Sequence, residues 1–377
     1  MIRYINRRDS DCYKWDSECA KDNLPLWVAD MDFEAAPAIL RALKKRVDHG
    51  VFGYQHVPDC YFEAVRSWFE RRHHWTGITP ENTIPTIGVV PAVAAVLRAM
   101  TRPGDKVLMH TPAYNCFFRC LDNAGCRLVE SPLICRNAHY EIDWKDMEQK
   151  LPGCKALLLC NPHNPTGRIW TRDELSRLAE MCRREHVFVI ADEIHCEFAF
   201  PGQEYTPFAT IAQDDYFCVC TSPSKAFNIA GLQCGNIYCT NEQAQAAIRQ
   251  AVDANEVGNI NCLAVYSLMA AYNESEQWIT ELMQLVYGNW CFIREFIREN
   301  NLPLSLTEME GTYLAWVALP EGTLSAGFCE ALAKEQHVLF NPSDMYGTEG
   351  FIRINMATSR EMLAEAMQRM KNYLANH

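Results

Sequence analysis

The sequence has 377 residues, of which 49% are hydrophobic and 22% charged, and its formal net charge is -12. This profile is that of a globular protein long enough for two domains, and no apolar run approaches membrane-spanning length. The negative charge argues against a protein that neutralises nucleic-acid phosphates and against one held electrostatically at a membrane.

The N-terminal part predicts two helices separated by a loop. The first covers residues 34–49, with a proline near its start and Gly50 after its end. The turn-rich stretch VFGYQHVPD follows, and helical apolar spacing then predicts the second helix over 60–75.

From residue 82 onwards, short apolar strands alternate with helices. The strand-like stretches are NTIPTIG, KVLMHTPAY, CRLVESPL, KALLLCNP, VFVIADE and YFCVC, and VVPAVAAVLRAM and TRDELSRLAEMCRREH are among the helical ones. This alternation predicts an α/β fold, with a mostly parallel sheet sandwiched by helices.

After residue 240 the pattern changes. Helical spacing dominates 241–300, and the strand-like TYLAWVAL and GFIRINM then alternate with helices. We therefore expect a smaller α+β domain over 286–377, a large domain over 49–285, and a segment 1–48 that packs with the small domain.

The 18 cysteines raise the question of a disulfide framework or a metal site. The N-terminus MIRYINRRDS has no apolar signal region, so we expect free thiols in a cytoplasmic protein. We find no C-x-x-C pair, which argues against a zinc site.

Ligands of an open parallel sheet bind beyond the carboxyl ends of its strands. Several chemically useful side chains and turns follow predicted strands. They are Gly88 with Val89 and Val90, Asn164, Asp192 with His195, and Ser222 with Ser224 and Lys225. Each has an ordinary interpretation when taken alone: a strand-to-helix turn, a turn-forming loop, a helix cap, a core histidine or a solvated lysine.

Together these residues suit one kind of ligand, a phosphorylated aromatic aldehyde with a ring nitrogen. Lys225 offers an amine that can condense with the aldehyde, and partial burial would lower its pKa. Asp192 can keep the ring nitrogen protonated, and Asn164 can donate to a ring oxygen. Ser222, Ser224 and the turn at Gly88 can hold the phosphate.

The motifs NPHNPTG, ADEIH and SPSKAFNIAGLQ, in this order, resemble those of fold-type I pyridoxal-phosphate enzymes of the class I/II aminotransferase superfamily. The resemblance covers essentially the whole chain. LPLWVADMDF, FGYQ and DEIH are most similar to the carbon–sulfur lyase branch, the MalY/PatB family of cystathionine β-lyases.

This resemblance implies a role for each matching residue. Lys225 corresponds to the Schiff-base lysine and Asp192 to the partner of the pyridine nitrogen, while Tyr114 stacks on the coenzyme ring. The remaining cofactor contacts implied are Asn164 and His195 near the ring hydroxyl, and Val89, Val90, Ser222 and Ser224 at the phosphate.

The resemblance also implies a homodimer with shared active sites, because Tyr54 matches a tyrosine that reaches the phosphate of the neighbouring subunit. Arg353 matches the arginine that binds the substrate carboxylate, and we expect Ala29, within WVADMDF, to contact the substrate. Gln233 stands where many aminotransferases have a phosphate-binding arginine, so phosphate binding has to rely on the other groups.

The implied reaction is β-elimination from cysteine S-conjugates, which yields a thiol, pyruvate and ammonia. Transamination of an amino acid with the same cofactor is the alternative. A third possibility is a scaffold that binds a partner without catalysis, although both Lys225 and Asp192 are present.

Overall fold

The computed structural model describes residues 2–212, 215–254 and 258–377. The N-terminal part comprises α1 (Tyr13–Asp16), β1 (Leu24–Pro25), α2 (Pro37–His49) and α3 (Asp59–His73). The two predicted helices are confirmed as α2 and α3. A proline at the first position of α2 has the φ that a helix needs, and Gly50 ends it with a left-handed φ of 75°.

The central part alternates strands and helices as predicted. In chain order these are β2 (Thr83–Thr86), α4 (Val89–Met100), β3 (Lys106–Thr111), α5 (Asn115–Asn123), β4 (Arg127–Pro132), β5 (Ile134–Arg136), β6 (His139–Glu141), α6 (Trp144–Lys150), β7 (Cys154–Cys160), α7 (Arg172–Arg184), β8 (Phe188–Asp192), β9 (Phe217–Thr221) and β10 (Gly235–Tyr238).

The main sheet has the strand order β2-β10-β9-β8-β7-β3-β4. Strands β4, β3, β7, β8 and β9 are parallel neighbours, whereas β10 is antiparallel to both β9 and β2. The prediction of a mostly parallel sheet is therefore confirmed. From β3 the chain adds β4 on one side, and it then adds β7, β8 and β9 on the other side. The strand order therefore reverses between β3 and β7, which is where such sheets form ligand-binding crevices.

Helices cover both faces of this sheet, so its central strands are apolar on both sides. In β7, Leu157 and Leu159 pack into one buried cluster, whereas Ala156 and Leu158 pack into the other. Successive side chains of a strand point to opposite faces, so a continuous apolar run fills two cores at once. This explains why the run KALLLC is apolar at successive positions and does not alternate with polar residues.

The C-terminal part begins with helices and ends in a second sheet. Its elements are α8 (Glu242–Asp253), α9 (Cys262–Glu274), α10 (Glu276–Glu299), β11 (Ser305–Leu306), β12 (Leu314–Ala318), α11 (Ser325–Gln336), β13 (Val338–Leu339), β14 (Asn341–Pro342), β15 (Phe351–Asn355) and α12 (Arg360–Asn376). The sheet has the antiparallel order β11-β12-β15-β14.

The N-terminal segment joins this C-terminal part through β1, which pairs in parallel with β13. Helix α10 runs across the predicted boundary between residues 285 and 286. The domain ranges 1–48, 49–285 and 286–377 stay a prediction. None of the helices in the described ranges is both long and apolar enough to cross a membrane.

Candidate active site

A cavity of about 180 Å³ lies beyond the carboxyl ends of β7, β8 and β9. Its walls include most of the residues singled out from the sequence. Those residues are Ala29, Val89, Val90, Tyr114, Asn164, Asp192, His195, Ser224 and Lys225. The fold brings together residues that are up to 196 positions apart, such as Ala29 of the N-terminal segment and Lys225.

Lys225 lies on the turn that follows β9, with its amine in the cavity. Nζ donates a hydrogen bond to the carbonyl oxygen of Ala29 at 2.5 Å. Burial lowers the pKa of Lys225 to about 8; the negative charge of Asp30 opposes this shift and the positive charge of Arg353 adds to it. A fraction of the amine is therefore neutral near pH 7, as a base or nucleophile must be.

Asp192 is the last residue of β8, and its side chain is buried at one wall of the cavity. Its Oδ1 accepts a hydrogen bond from the N–H of Ile194 at 3.0 Å. Burial raises the pKa of Asp192 to about 7, although that N–H and the charge of Lys225 both act to lower it. A carboxylate buried in this way is stabilised by a cationic partner, such as a protonated ring nitrogen.

Helix α4 points its N-terminus at the cavity, and no side chain caps that end. Val89 and Val90 contribute the N–H groups of the first turn, because Pro91 has none. The φ of 138° at Gly88 admits only glycine readily. Gly235 of β10 passes so close that a Cβ there would lie 3.1 Å from Gly88. The result is an anion site made of backbone donors.

The two serines occupy different layers of the site. Ser224 lines the cavity, whereas Ser222 lies behind it with its Oγ 2.5 Å from the carbonyl oxygen of Cys234. The N–H of Ser224 donates to Oγ of Ser222 at 3.0 Å, and the two hydroxyl oxygens are 2.8 Å apart. In this arrangement Ser222 orients Ser224, which faces the cavity directly.

Tyr114 and His195 provide the aromatic groups at the cavity. Tyr114 precedes α5, and its ring makes an edge contact with Phe117 at 5.4 Å. The ring of His195 lies 5.8 Å from that of Tyr313, also edge-on. Burial and the nearby positive charges hold the pKa of His195 well below its usual range, so its imidazole is neutral.

Arg353 of β15 is buried and reaches the site from the C-terminal sheet. Nη1 donates to Oδ1 of Asn164 at 3.1 Å, and Nη2 donates to the carbonyl oxygen of Trp27 at 3.0 Å. The guanidinium also lies over the ring of Tyr346, 4.9 Å from its centroid. Its Nε has no hydrogen-bond partner within the described part of the chain, which suits a donor awaiting a carboxylate.

Ser222, Arg353, Tyr54 and Gln233 were named from the sequence but do not line this cavity, and the last two are exposed at the surface. Tyr54 is fully exposed on the loop after α2. Gln233 is exposed at a left-handed φ of 54° and does not line the cavity. The contact predicted between Tyr54 and the phosphate of a neighbouring subunit therefore stays a prediction, as do the other predicted contacts to the phosphate.

Sequence reasoning missed several residues at the cavity. Pro91, Cys160, Ile194 and Ala230 line it, although none had been assigned a role. Cys160 ends the apolar run of β7, and Ile194 follows Asp192, so the strand-end rule applied to every position would have found both. Tyr313 also lies close to the site, because its hydroxyl donates to the carbonyl oxygen of Ala29 at 2.9 Å.

A second cluster of titratable groups lies away from the cavity. Possible metal-ligating atoms of His73, Cys196 and Glu197 lie within 4.8 Å of one another. The carboxylate of Glu197 is engaged by Nε of Arg72 at 2.8 Å and by Nε1 of Trp68 at 2.6 Å. These donors and His73 lower the pKa of Glu197 to about 2, so the cluster is a satisfied ion-pair network.

The residues at the cavity fit pyridoxal phosphate. They combine a buried amine at Lys225, a buried acid at Asp192 that forms no ion pair within the described ranges, and an uncapped helix N-terminus at Val89 and Val90. These groups match, respectively, an aldehyde, a basic ring nitrogen and a phosphate.

Comparison with known proteins agrees with this chemistry. The chain is 35% identical to "Cystathionine beta-lyase PatB" of Bacillus subtilis (strain 168) over 98% of both chains. Its fold matches cystalysin from Treponema denticola, which contains pyridoxal 5'-phosphate, with a TM-score of 0.95 and 30% identity over 99% and 98% of the two chains. The PLP-bound C-S lyase from Staphylococcus hominis matches with a TM-score of 0.91 and 30% identity, over 99% and 97%.

The family model for aminotransferase class I and II matches residues 21–370, which is nearly the whole chain. The chain therefore belongs to the aminotransferase class I and II family.

Proposed function

We propose that this protein is a pyridoxal-phosphate-dependent carbon–sulfur lyase. It catalyses β-elimination from cysteine S-conjugates such as cystathionine, giving a thiol, pyruvate and ammonia. The observation that carries the proposal is that Lys225 and Asp192 line one cavity, with Arg353 bonded to Asn164 in its wall, in a chain 35% identical to a cystathionine β-lyase.

When bound, pyridoxal phosphate supplies an electron sink for the charge that develops at the substrate Cα. Asp192 holds a proton on the ring nitrogen by electrostatic attraction. Val89, Val90 and Ser224 bind the phosphate, with Ser222 behind Ser224. Asn164 and His195 would contact the ring oxygen, and Tyr114 would stack on the ring.

Lys225 is the general base of the proposed reaction. Its Nζ, with a pKa of about 8, can take the proton from the substrate Cα at neutral pH and then give it to the departing sulfur, which yields the thiol. Loss of that proton allows the Cβ–S bond to break, with the sulfur leaving as a thiolate. Arg353 holds the α-carboxylate through a bidentate contact and so orients the Cα proton toward Lys225.

Transamination is the second candidate, because the family model that matches this chain is named for aminotransferases. It begins with the same proton transfer at Cα and uses the same residues. The two reactions differ in products: transamination leaves the substrate's C–S bond intact and yields a keto acid. Mass spectrometry of the products from cystathionine distinguishes a free thiol with pyruvate from an unfragmented keto acid.

We further propose a cytoplasmic homodimer in which Tyr54 reaches the phosphate of the neighbouring subunit. Tyr54 is fully exposed, and Val51 and Phe52 beside it are 60% and 56% exposed. Exposed apolar residues in one short loop suit a protein interface. Within the described ranges no cysteine forms a disulfide, which suits a reducing compartment.

The test is a pyruvate and thiol assay on the cofactor-loaded protein with cystathionine. Lys225→Ala is expected to lower the rate by at least about 10⁴-fold, since it removes both the base and the covalent attachment point. Lys334→Ala, at an exposed position on α11, is the matched control and retains full activity. Absence of pyruvate from every cysteine conjugate tried with the wild type would refute the proposal.

A further inference from the structure

The two cationic groups of the site, Lys225 and Arg353, are bound to one short segment of backbone. Nζ of Lys225 donates to the carbonyl oxygen of Ala29 at 2.5 Å, and Nη2 of Arg353 donates to that of Trp27 at 3.0 Å. We call residues 27–33 the bridging segment. Its position therefore affects both the base and the carboxylate-binding group.

The bridging segment has no helix or strand of its own. Buried backbone groups of an irregular segment need partners elsewhere, because an unpaired one costs free energy. In this protein two asparagine side chains, Asn228 and Asn355, pair with five of its backbone groups.

Asn355 holds the first half of the bridging segment. Its Nδ2 donates to the carbonyl oxygens of Val28 and Asp30, both at 2.6 Å. Asn355 and Arg353 stand two positions apart on β15, so their side chains share one face of the strand. The strand that carries the guanidinium thus also fixes the carbonyls on either side of Ala29.

Asn228 holds the second half. Its Nδ2 donates to the carbonyl oxygens of Met31 and Phe33 at 3.0 and 2.8 Å, and its Oδ1 accepts from the N–H of Met31 at 3.0 Å. Asn228 follows Lys225 by three residues on the same turn and has a left-handed φ of 56°. The turn that carries the amine is thereby fastened to the same segment.

We propose that Asn228 and Asn355 are positioning residues that set the separation between the amine of Lys225 and the guanidinium of Arg353 through the bridging segment. Each amide lies within three residues of one of these cations along the chain, and both amides hydrogen-bond to the backbone of the bridging segment. Reaction requires the Cα proton and the carboxylate of one substrate to meet the two cations at once. This role rests on the proposed lyase function, but its structural part can be tested without it.

Asn→Asp substitutions test the idea, because they keep side-chain size and acceptors while removing the donated hydrogen bonds. Asn228→Asp is expected to lower kcat for cystathionine by about 10- to 100-fold, since displacement of a reacting group by about 1 Å has effects of this order. Asn355→Asp is expected mainly to raise KM, by about tenfold.

Asn289 provides the matched control. It is also buried, and its Nδ2 also donates to two carbonyl oxygens, those of Met356 and Thr358 at 2.8 and 3.0 Å. Its hydrogen bonds run to Met356, Thr358 and Arg360 and not to the bridging segment. Asn289→Asp should lower the melting temperature comparably and leave kcat and KM within about twofold of wild type.

A readout independent of catalysis is the rate at which an amine reagent labels Lys225 in the cofactor-free protein, relative to exposed lysines, as a function of pH. Asn228→Gly, which adds no charge, should change the labelling rate of Lys225, whereas Asn289→Asp should not. If the wild type has no lyase activity, the function proposal fails while this labelling result still decides the positioning role.

Should an aspartate variant fail to fold, Asn228→Gly and Asn355→Ser serve instead. Glycine readily adopts the left-handed φ at 228, and serine is neutral. The inference is overturned if the folded variants at 228 and 355 match Asn289→Asp in kcat, KM and Lys225 labelling.

Discussion

Nη1 of Arg353 donates a hydrogen bond to Oδ1 of Asn164 at 3.1 Å, which joins the C-terminal sheet to the loop after β7. Because Oδ1 is the acceptor in this bond, the Nδ2 group is what the amide can offer to a ring oxygen in the cavity. The residue predicted to bind the substrate and one predicted to bind the cofactor are thus in direct contact. A substitution of Arg353 or of Asn164 should therefore affect the other residue as well.

Replacing Arg353 by lysine keeps the positive charge but loses the planar fork that binds a carboxylate bidentately. We expect Arg353→Lys to raise KM for cystathionine by about 10- to 100-fold, equivalent to about 1.4–2.7 kcal/mol. Steady-state kinetics measure this effect. Arg298→Lys, 74% exposed on α10, should change neither constant. A KM unchanged by Arg353→Lys would remove Arg353 from the substrate site.

Asp192 should destabilise the cofactor-free protein at neutral pH. Its pKa is about 7 in the folded state against a usual 3.8, so the folded state binds more protons between these values. Stability contributed by this group is therefore present below pH 4 and lost as the pH rises toward 7. Asp192→Asn should raise the free energy of unfolding at pH 8 by up to about 4 kcal/mol, with little effect near pH 4.

Urea denaturation of the cofactor-free variant and wild type at both pH values measures this difference. The same Asp192→Asn variant should lose at least about a hundredfold in lyase activity, because a neutral amide cannot hold the ring proton. Equal stabilities at pH 8 would contradict the raised pKa of Asp192.

The activity should depend on pH through Lys225. Its amine is free only while substrate occupies the site, and it accepts a proton only when neutral, so kcat should rise with pH and level off above the pKa of about 8. Asp30 raises the pKa of Lys225 by its negative charge, so Asp30→Asn should move this limb to lower pH. A pH profile of each protein measures the shift. A limb that does not move, or moves upward, would refute the electrostatic link.

The packing of Gly235 against Gly88 predicts a selective effect on cofactor binding. A Cβ at position 235 would lie 3.1 Å from the Gly88 backbone and 3.2 Å from the carbonyl oxygen of Thr221. Gly235→Ala should therefore displace the N-terminus of α4 and weaken pyridoxal-phosphate binding by about tenfold, or about 1.4 kcal/mol. Fluorescence titration of the cofactor-free protein measures it.

Gly231→Ala is the control for this experiment, because a Cβ at position 231 would meet nothing within 4 Å. Its affinity should match that of the wild type. If Gly235→Ala binds the cofactor equally well, the helix terminus is not the phosphate site or the backbone relaxes without consequence there.

The alternation of strands and helices could be predicted because it follows from the spacing of apolar residues along the chain. The runs that became β7 and β8 are buried on both faces, so every position in them is apolar apart from Lys155 and Asp192. Strand β10 was not predicted, because it has four residues, opens with a glycine and gives no alternation. It is nevertheless the strand whose Gly235 shapes the anion site.

Lys225, Asp192 and Asn164 could be proposed from the sequence because each follows a buried strand, and parallel strands end at a common edge. The contacts of Arg353 with Asn164 and Trp27 could not be proposed in this way. The same holds for the hydrogen bonds of Asn228 and Asn355 to the bridging segment. They join positions 189 to 327 residues apart. The local pattern of apolar residues does not predict such pairings, since side chains that far apart in sequence meet only after the two sheets and the N-terminal segment have packed.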